Sequence, residues 1–135
     1  MNKPMTSAHP NMALLEQLSN HFPHDLDNLG DVIAENFIMH YYNSQIPELD
    51  GDYKGIDGLK DLFQKLGTMT RGNFKVIDGK LIHMGDELIV LRATHKMTVD
   101  DNSFEVDAVV IWRVVENHFA EAWDIPAVNT IRPLT

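Results

Sequence analysis

From Asn73 onward the apolar residues fall on alternate positions, the period of strands whose two faces meet different surroundings. Phe74 to Met84 reads as one strand, with a break at Asp78-Gly79, and Gly85-Asp86 as a turn. Glu87 to Val99 is a second strand, ended by the turn signal Asp100-Asp101-Asn102. Glu105 to Val115 and His118 to Ile125, rich in β-branched and aromatic residues and joined by Glu116-Asn117, form a closing antiparallel pair. The first half has a different period. Leu14, Leu15 and Leu18 share a helical stripe that Pro23 ends. Asp25 caps a second, shorter helix with Leu26, Leu29, Val32 and Ile33 inward, Gly30 weakening its middle. Phe37 to Tyr42 reads as a strand, and Asn43 to Gly51 as a polar loop. Asp57 caps a third helix on which Leu59, Leu62, Phe63 and Leu66 form the apolar face and which Gly67 closes.

The order is thus helix, helix, strand, helix and four strands. It predicts an α+β fold in which about three N-terminal helices cover one face of a curved antiparallel sheet forming a cone. Residues 1–10 are expected to be a mobile segment, 11–135 one domain, and the tail beyond Pro126 irregular.

Composition removes several function classes. The 135 residues carry a formal charge of −9, and the 11 basic residues are scattered. Nucleic acid and anionic membranes need a basic face, so neither is an expected partner. The absence of cysteine rules out a thiolate nucleophile, a disulfide framework and a thiolate metal site. No long uncharged apolar stretch and no signal-peptide core are present, so a cytoplasmic location is expected. His9, His21, His24, His83 and His118 have no ligand spacing, which predicts no metal.

Alternation also sorts candidate chemistry. On the long strand Ile89, Leu91, Ala93, His95, Met97 and Val99 share a face that is apolar apart from His95. Val110 and Trp112 share a face of the next strand, and Ala120, Ala122 and Asp124 line up on the last. A carboxylate in apolar surroundings is costly unless paired, bonded or protonated, so Asp124 is either a structural anchor or a general base with a raised pKa. His95 is either a second acid/base or a satisfied core histidine. Met97, Val110, Trp112, Phe63 and Leu66 are candidates to line a pocket for a small hydrophobic molecule, with His40 near its mouth and Tyr42 offering a hydroxyl or aromatic packing. The opposite face, with Leu88, Val90, Val109, Ile111 and Trp123 among Arg92, Thr94 and Arg113, is too apolar to be fully solvated.

Three stretches carry a family resemblance. Phe37-Ile38-Met39-His40 followed by Gly55-Ile56-Asp57-Gly58-Leu59, then Ala93-Thr94-His95, and finally Glu121-Ala122-Trp123-Asp124 resemble, in order and spacing, the SnoaL-like polyketide cyclases of the nuclear-transport-factor-two-like superfamily. The likeness runs from Leu14 to Ile125. It implies a cone-shaped fold, a homodimer paired through the apolar outer face of the sheet, and cofactor-independent acid/base chemistry with Asp124 and His95 in the cyclase roles. The position matching the oxyanion-donating Asp of ketosteroid isomerase is Val110, which cannot donate a hydrogen bond. The Arg-x-Asp of limonene epoxide hydrolase is here Arg92-Ala93-Thr94, without the carboxylate.

The leading expectation is a cyclase-like isomerase or lyase acting on a small hydrophobic carbonyl compound, by cyclisation, isomerisation or dehydration. The alternative is a binding or scaffold module without turnover. A third reading, a scytalone-dehydratase-like lyase, requires His40 and His95 to converge on one substrate.

Overall fold

The computed structural model describes residues 9–21 and 25–134. Helix α1 (Asn11–His21) is followed by a single 3-10 turn at Leu26–Asn28 and strands β1 (Ile33–Tyr41) and β2 (Gly51–Lys54). Helix α2 (Gly55–Thr70) leads into β3 (Lys75–Met84), β4 (Leu88–Val99), β5 (Asn102–Val115) and β6 (His118–Pro126). A second 3-10 turn precedes a short β7 (Arg132–Leu134). The strands form one open sheet in the order β2-β1-β6-β5-β4-β3, with β7 paired to β5. All pairs are antiparallel except β1 with β6, which runs parallel.

The meander of the second half follows the alternation closely. Asp100-Asp101 and Glu116-Asn117 close their hairpins with positive φ at both central residues, the geometry that matches strand twist. The Asp78-Gly79 break is a bulge, since the β3–β4 register shifts between Ile77 and Lys80 and Asp78 takes positive φ. A second bulge lies in β6. Val114 pairs with Phe119 but Arg113 with Glu121, so Ala120 is an extra residue. That insertion turns Phe119 inward, where it is fully buried, and displaces Ala120 from the inner row predicted for it.

The first half departs further from expectation. The second helix is absent: Asp25, Asp27 and Asn28 favour a turn, Gly30 breaks it, and Ile33 opens β1. Among the described residues only two α-helices are present; Pro23, predicted to end the first, lies outside those residues, as do residues 1–8 of the predicted mobile segment. Helix α2 begins at Gly55, so Asp57 sits in its first turn rather than at the cap. It also runs past Gly67 to Thr70, ending where Arg71 turns left-handed and Gly72 N–H returns to the Gly67 carbonyl (3.0 Å). The two glycines of Gly-x-x-Gly have separate tasks. Gly55 takes φ +67 to turn β2 into α2, and a Cβ at Gly58 would lie 2.6 Å from the Tyr53 backbone. The tail after Pro126 is not irregular, because Arg132 to Leu134 pair with Ser103 to Glu105.

The core lies between α1, α2 and the concave face of the sheet. Leu14, Leu18, Leu59 and Leu62 pack there with Phe37, Met39, Ile89, Trp112 and Phe119. Among the described residues no helix is long and apolar enough to cross a membrane.

Candidate functional site

Register assigns the inner face in rows. One row runs Leu91–Val110–Asp124–Tyr41 across β4, β5, β6 and β1. The next runs Ala93–Ala108–Pro126, and the one beyond it Val76–His95–Val106. Asp124 and His95 therefore share a face but not a contact. They stand two strands and four residues apart, about 16 Å between backbones were the sheet flat. The small pair Ala93 and Ala108 occupies the row between them.

Asp124 is partly buried, and its Oδ1 is sealed from solvent without a hydrogen-bond partner. Among the described residues no ion pair involves Asp124, and Arg92 and Arg113 occupy alternate, outward positions of β4 and β5. Burial alone pushes the carboxyl up to about 7. His95 is 2% exposed, its Nδ1 also lacks a partner, and burial lowers it to about 4. At neutral pH it is an uncharged imidazole. Its ring meets Phe74 in a T-shaped contact, centroids 5.0 Å apart.

Phe74 forms part of the wall of a cavity of about 720 Å³ between α2, the Leu26 turn and β3. Phe63 and Leu66 line it, as predicted for pocket residues, with Leu26, Thr70 and Val76. A Lys60–Asp27 ion pair stands at its rim. Neither Asp124 nor His95 lines this cavity; His95 lies directly behind Phe74. Met97, Val110 and Trp112 are buried in packing, Trp112 between Phe37 (6.0 Å) and Phe119 (5.0 Å).

His40 and Tyr42 are on the other side of the sheet. From Phe37 onward the buried positions of β1 are Phe37, Met39 and Tyr41, so His40 points outward. Its Nδ1 lies 2.7 Å from Asp52 and its Nε2 2.7 Å from Glu121. Two carboxylate acceptors require two N–H donors, which makes this ring an imidazolium. Burial opposes that charge, but the hydrogen bonds to Asp52 and Glu121 outweigh it and raise the pKa above the usual 6.5. The ring stacks on Trp123 (5.5 Å), whose other neighbour is the Arg113 guanidinium at 5.8 Å. Arg113 in turn pairs with Glu87. Tyr42 is exposed beside this group. A site in which His40 and His95 converge is therefore excluded.

A further inner residue is Tyr41, which from sequence, like Tyr42, offers either a hydroxyl or aromatic packing. It is 3% exposed and sits in register with Asp124. Burial and the neighbouring Asp124 charge push its hydroxyl up to about 12. The alternation Phe37, Met39, Tyr41 against Ile38, His40, Tyr42 carried the signal; the density of aromatics hid it. Among the described residues no cluster of His, Asp and Glu has the arrangement to hold a metal.

An NTF2-like protein from Burkholderia xenovorans superposes with a TM-score of 0.76 over 89% of this chain and 91% of its own, at 18% identity. The chain has the nuclear-transport-factor-two-like fold. A second protein of this fold, from Burkholderia pseudomallei and of unknown function, gives 0.74 over 88% and 92% at 20% identity. IdmH from Streptomyces antibioticus, a proposed polyketide cyclase, gives 0.64 over 90% and 95% at 20% identity. No protein-family model matches the chain, and no curated protein matches it by sequence. The nuclear-transport-factor-two-like cone explains the curvature of the sheet and the covering α2, and one fold of this kind hosts many chemistries.

Proposed function

We propose that this chain is a SnoaL-like acid/base enzyme that abstracts a proton next to the carbonyl of a small hydrophobic compound, without a cofactor. One observation carries the reading: Asp124 is partly buried with one carboxylate oxygen sealed from solvent and unpartnered, and burial brings its proton affinity near neutral pH. A structural carboxylate would be matched by a cation or by N–H donors. A substrate lying across Ala93 and Ala108 would meet Asp124 at one end and neutral His95 at the other, each one strand and two residues from Ala108 in the register. Access runs through the cavity lined by Phe63 and Leu66. Deuterium incorporation from D2O into a panel of hydrophobic enones and diketones tests this. Exchange with the native chain and none with Asp124→Asn is the expected result. Equal exchange by both ends the proposal.

A second reading is favoured by the position of the cavity, which neither Asp124 nor His95 lines. A binding module would retain a hydrophobic molecule there stoichiometrically and show no exchange. In either case we propose that two copies pair through the outer face. Val109, Ile111 and Trp123 offer an apolar centre, and Arg113 and Glu121 offer charges of both signs that a two-fold axis can match. Light scattering on the native chain should give a dimer, and Ile111→Arg a monomer.

A further inference from the structure

We propose that Tyr41 is the catalytic donor of this site: its hydroxyl, held by Asn43 beside Asp124, hydrogen-bonds the substrate carbonyl while Asp124 removes the adjacent proton. The assignment rests on the acid/base reading above and adds to it a donor for the carbonyl oxygen.

The parallel β1–β6 pairing sets Tyr41 beside Asp124 on the inner face. The phenol oxygen accepts from Asn43 Nδ2 at 3.4 Å. That amide is itself fixed, because Asn43 Oδ1 accepts the Gln45 N–H (3.0 Å) and the Asn43 N–H donates to Asp50 (2.8 Å). Asn43 is buried, so the arrangement is an internal one. It occupies a lone pair of Tyr41 and leaves the O–H proton without an acceptor among the described residues. Beside it, Asp124 Oδ1 is an acceptor without a donor. The two do not bond each other. Buried donors and acceptors are rarely left unmatched, and such a pair calls for a molecule that accepts from one and gives a proton to the other. Tyr53, the other inner phenol, is already committed to the Leu49 carbonyl at 2.6 Å.

A carbonyl compound with an acidic C–H fits. Asp124 takes the proton, the C–H electrons become a C=C bond, and the carbonyl oxygen becomes an enolate oxygen that accepts the Tyr41 O–H. Return of the proton from Asp124 to another carbon completes an isomerisation. Attack of the enolate carbon on a second carbonyl, whose oxygen takes that proton, completes a cyclisation. Tyr41 keeps its own proton throughout, acting as an oxyanion donor.

The probe is 4-nitrophenol, which offers one oxygen to Tyr41 and one proton to Asp124, and whose phenolate is read by its visible absorbance. At pH 6 the native chain is expected to bind it with more phenolate than free solution holds. Tyr41→Phe should weaken binding about 10- to 100-fold and remove the excess phenolate, while Tyr42→Phe, on the outer face, should match the native chain. Binding lost in Asp124→Asn but retained in Tyr41→Phe overturns the Tyr41 assignment and leaves the acid/base reading standing. Failure of the native chain to bind overturns both. A ligand-free readout needs no Tyr41 variant. Among the three tyrosines, Asp124→Asn should lower the highest tyrosinate transition; an unmoved transition overturns the proposed adjacency.

Discussion

His40 and His95 both stand in mid-sheet strands, and the two faces of that sheet treat them oppositely. On the outer face His40 has a carboxylate at each nitrogen and a raised proton affinity. On the inner face His95 has an unpartnered nitrogen and a proton affinity lowered to about 4. The outer groups satisfy one another: Asp52, His40 and Glu121 are bonded, and Trp123, Arg113 and Glu87 extend the array. The inner groups Asp124, His95 and Tyr41 are each left with unmet bonding capacity. Polarity that is closed on itself serves stability, whereas polarity held open at the expense of stability supports the proposal that the inner face is the one that takes a ligand.

Asp124→Asn is the sharpest way to break the contrast. Turnover should fall about 10³-fold or more, as expected for loss of a general base. Stability should move the other way. Folding raises the Asp124 pKa from 3.8 to about 7, so between these values the folded chain holds a proton that the unfolded chain has released. The Asp124 contribution to stability therefore falls as pH rises from about 4 to 7, by roughly 4 kcal/mol in total, and is then constant. The Asn variant should be more stable than the native chain at pH 8 by an amount of that order, and between pH 4 and 6.5 its stability should rise with the slope that His95 alone sets. Urea unfolding at pH 4, 6 and 8 measures both. A variant less stable at pH 8 would show that the native carboxylate is a satisfied anchor.

His95 contributes the opposite slope. Its pKa falls from 6.5 to about 4 on folding, so the unfolded chain gains a proton over a range in which the folded chain does not. Stability drops by about 3 kcal/mol as pH falls from 6.5 to 4. Through most of this range the two inner groups offset one another, and the native curve should be nearly flat there. His95→Met should therefore expose a curve that declines steadily from pH 4 to 7. If the variant follows the native curve instead, His95 is exposed or paired in solution.

The outer face gives a smaller effect of the reverse sense. Because the His40 pKa is raised, its contribution is complete below 6.5 and is lost as pH rises through the folded value. Glu121→Gln should cost about 1–2 kcal/mol at pH 5 and clearly less at pH 9. Imidazole NMR should show the His40 titration moving down toward 6.5. A titration that stays in place would mean that the clamp on Nε2 does not hold.

Legibility differed between the halves of the chain for a physical reason. In the meander, alternation fixes the face of each residue, and His95 and Asp124 were placed inward from sequence alone. The one failure there was at Ala120, where a bulge that no composition announces reversed the inner row and buried Phe119. In the first half, Phe37 to Tyr42 is aromatic on both faces, which masked the same period and allowed His40 to be set beside the pocket. The short helix expected after Asp25 was lost to turn chemistry in Asp25-Leu26-Asp27-Asn28 and to Gly30. The distance between Asp124 and His95 could not be read at all, because it depends on the register of β4, β5 and β6 rather than on any spacing within one strand.

The smallest predicted effect concerns how a ligand reaches the inner face. Gly67 lies within α2 and lines the cavity, and a Cβ added there meets nothing within 4 Å. Its backbone is helical, so Gly67→Ala should stabilise the chain by about 1 kcal/mol through helix propensity and leave binding unaltered. Gly67→Trp keeps that backbone but fills the entrance. It should weaken binding of a hydrophobic ligand at least tenfold while leaving the inner-face titrations of Asp124 and His95 in place. Unchanged binding by the Trp variant would mean that ligands approach the Asp124–Tyr41 row by another route. The cavity under α2 would then be a surface feature separate from the chemistry of the concave face.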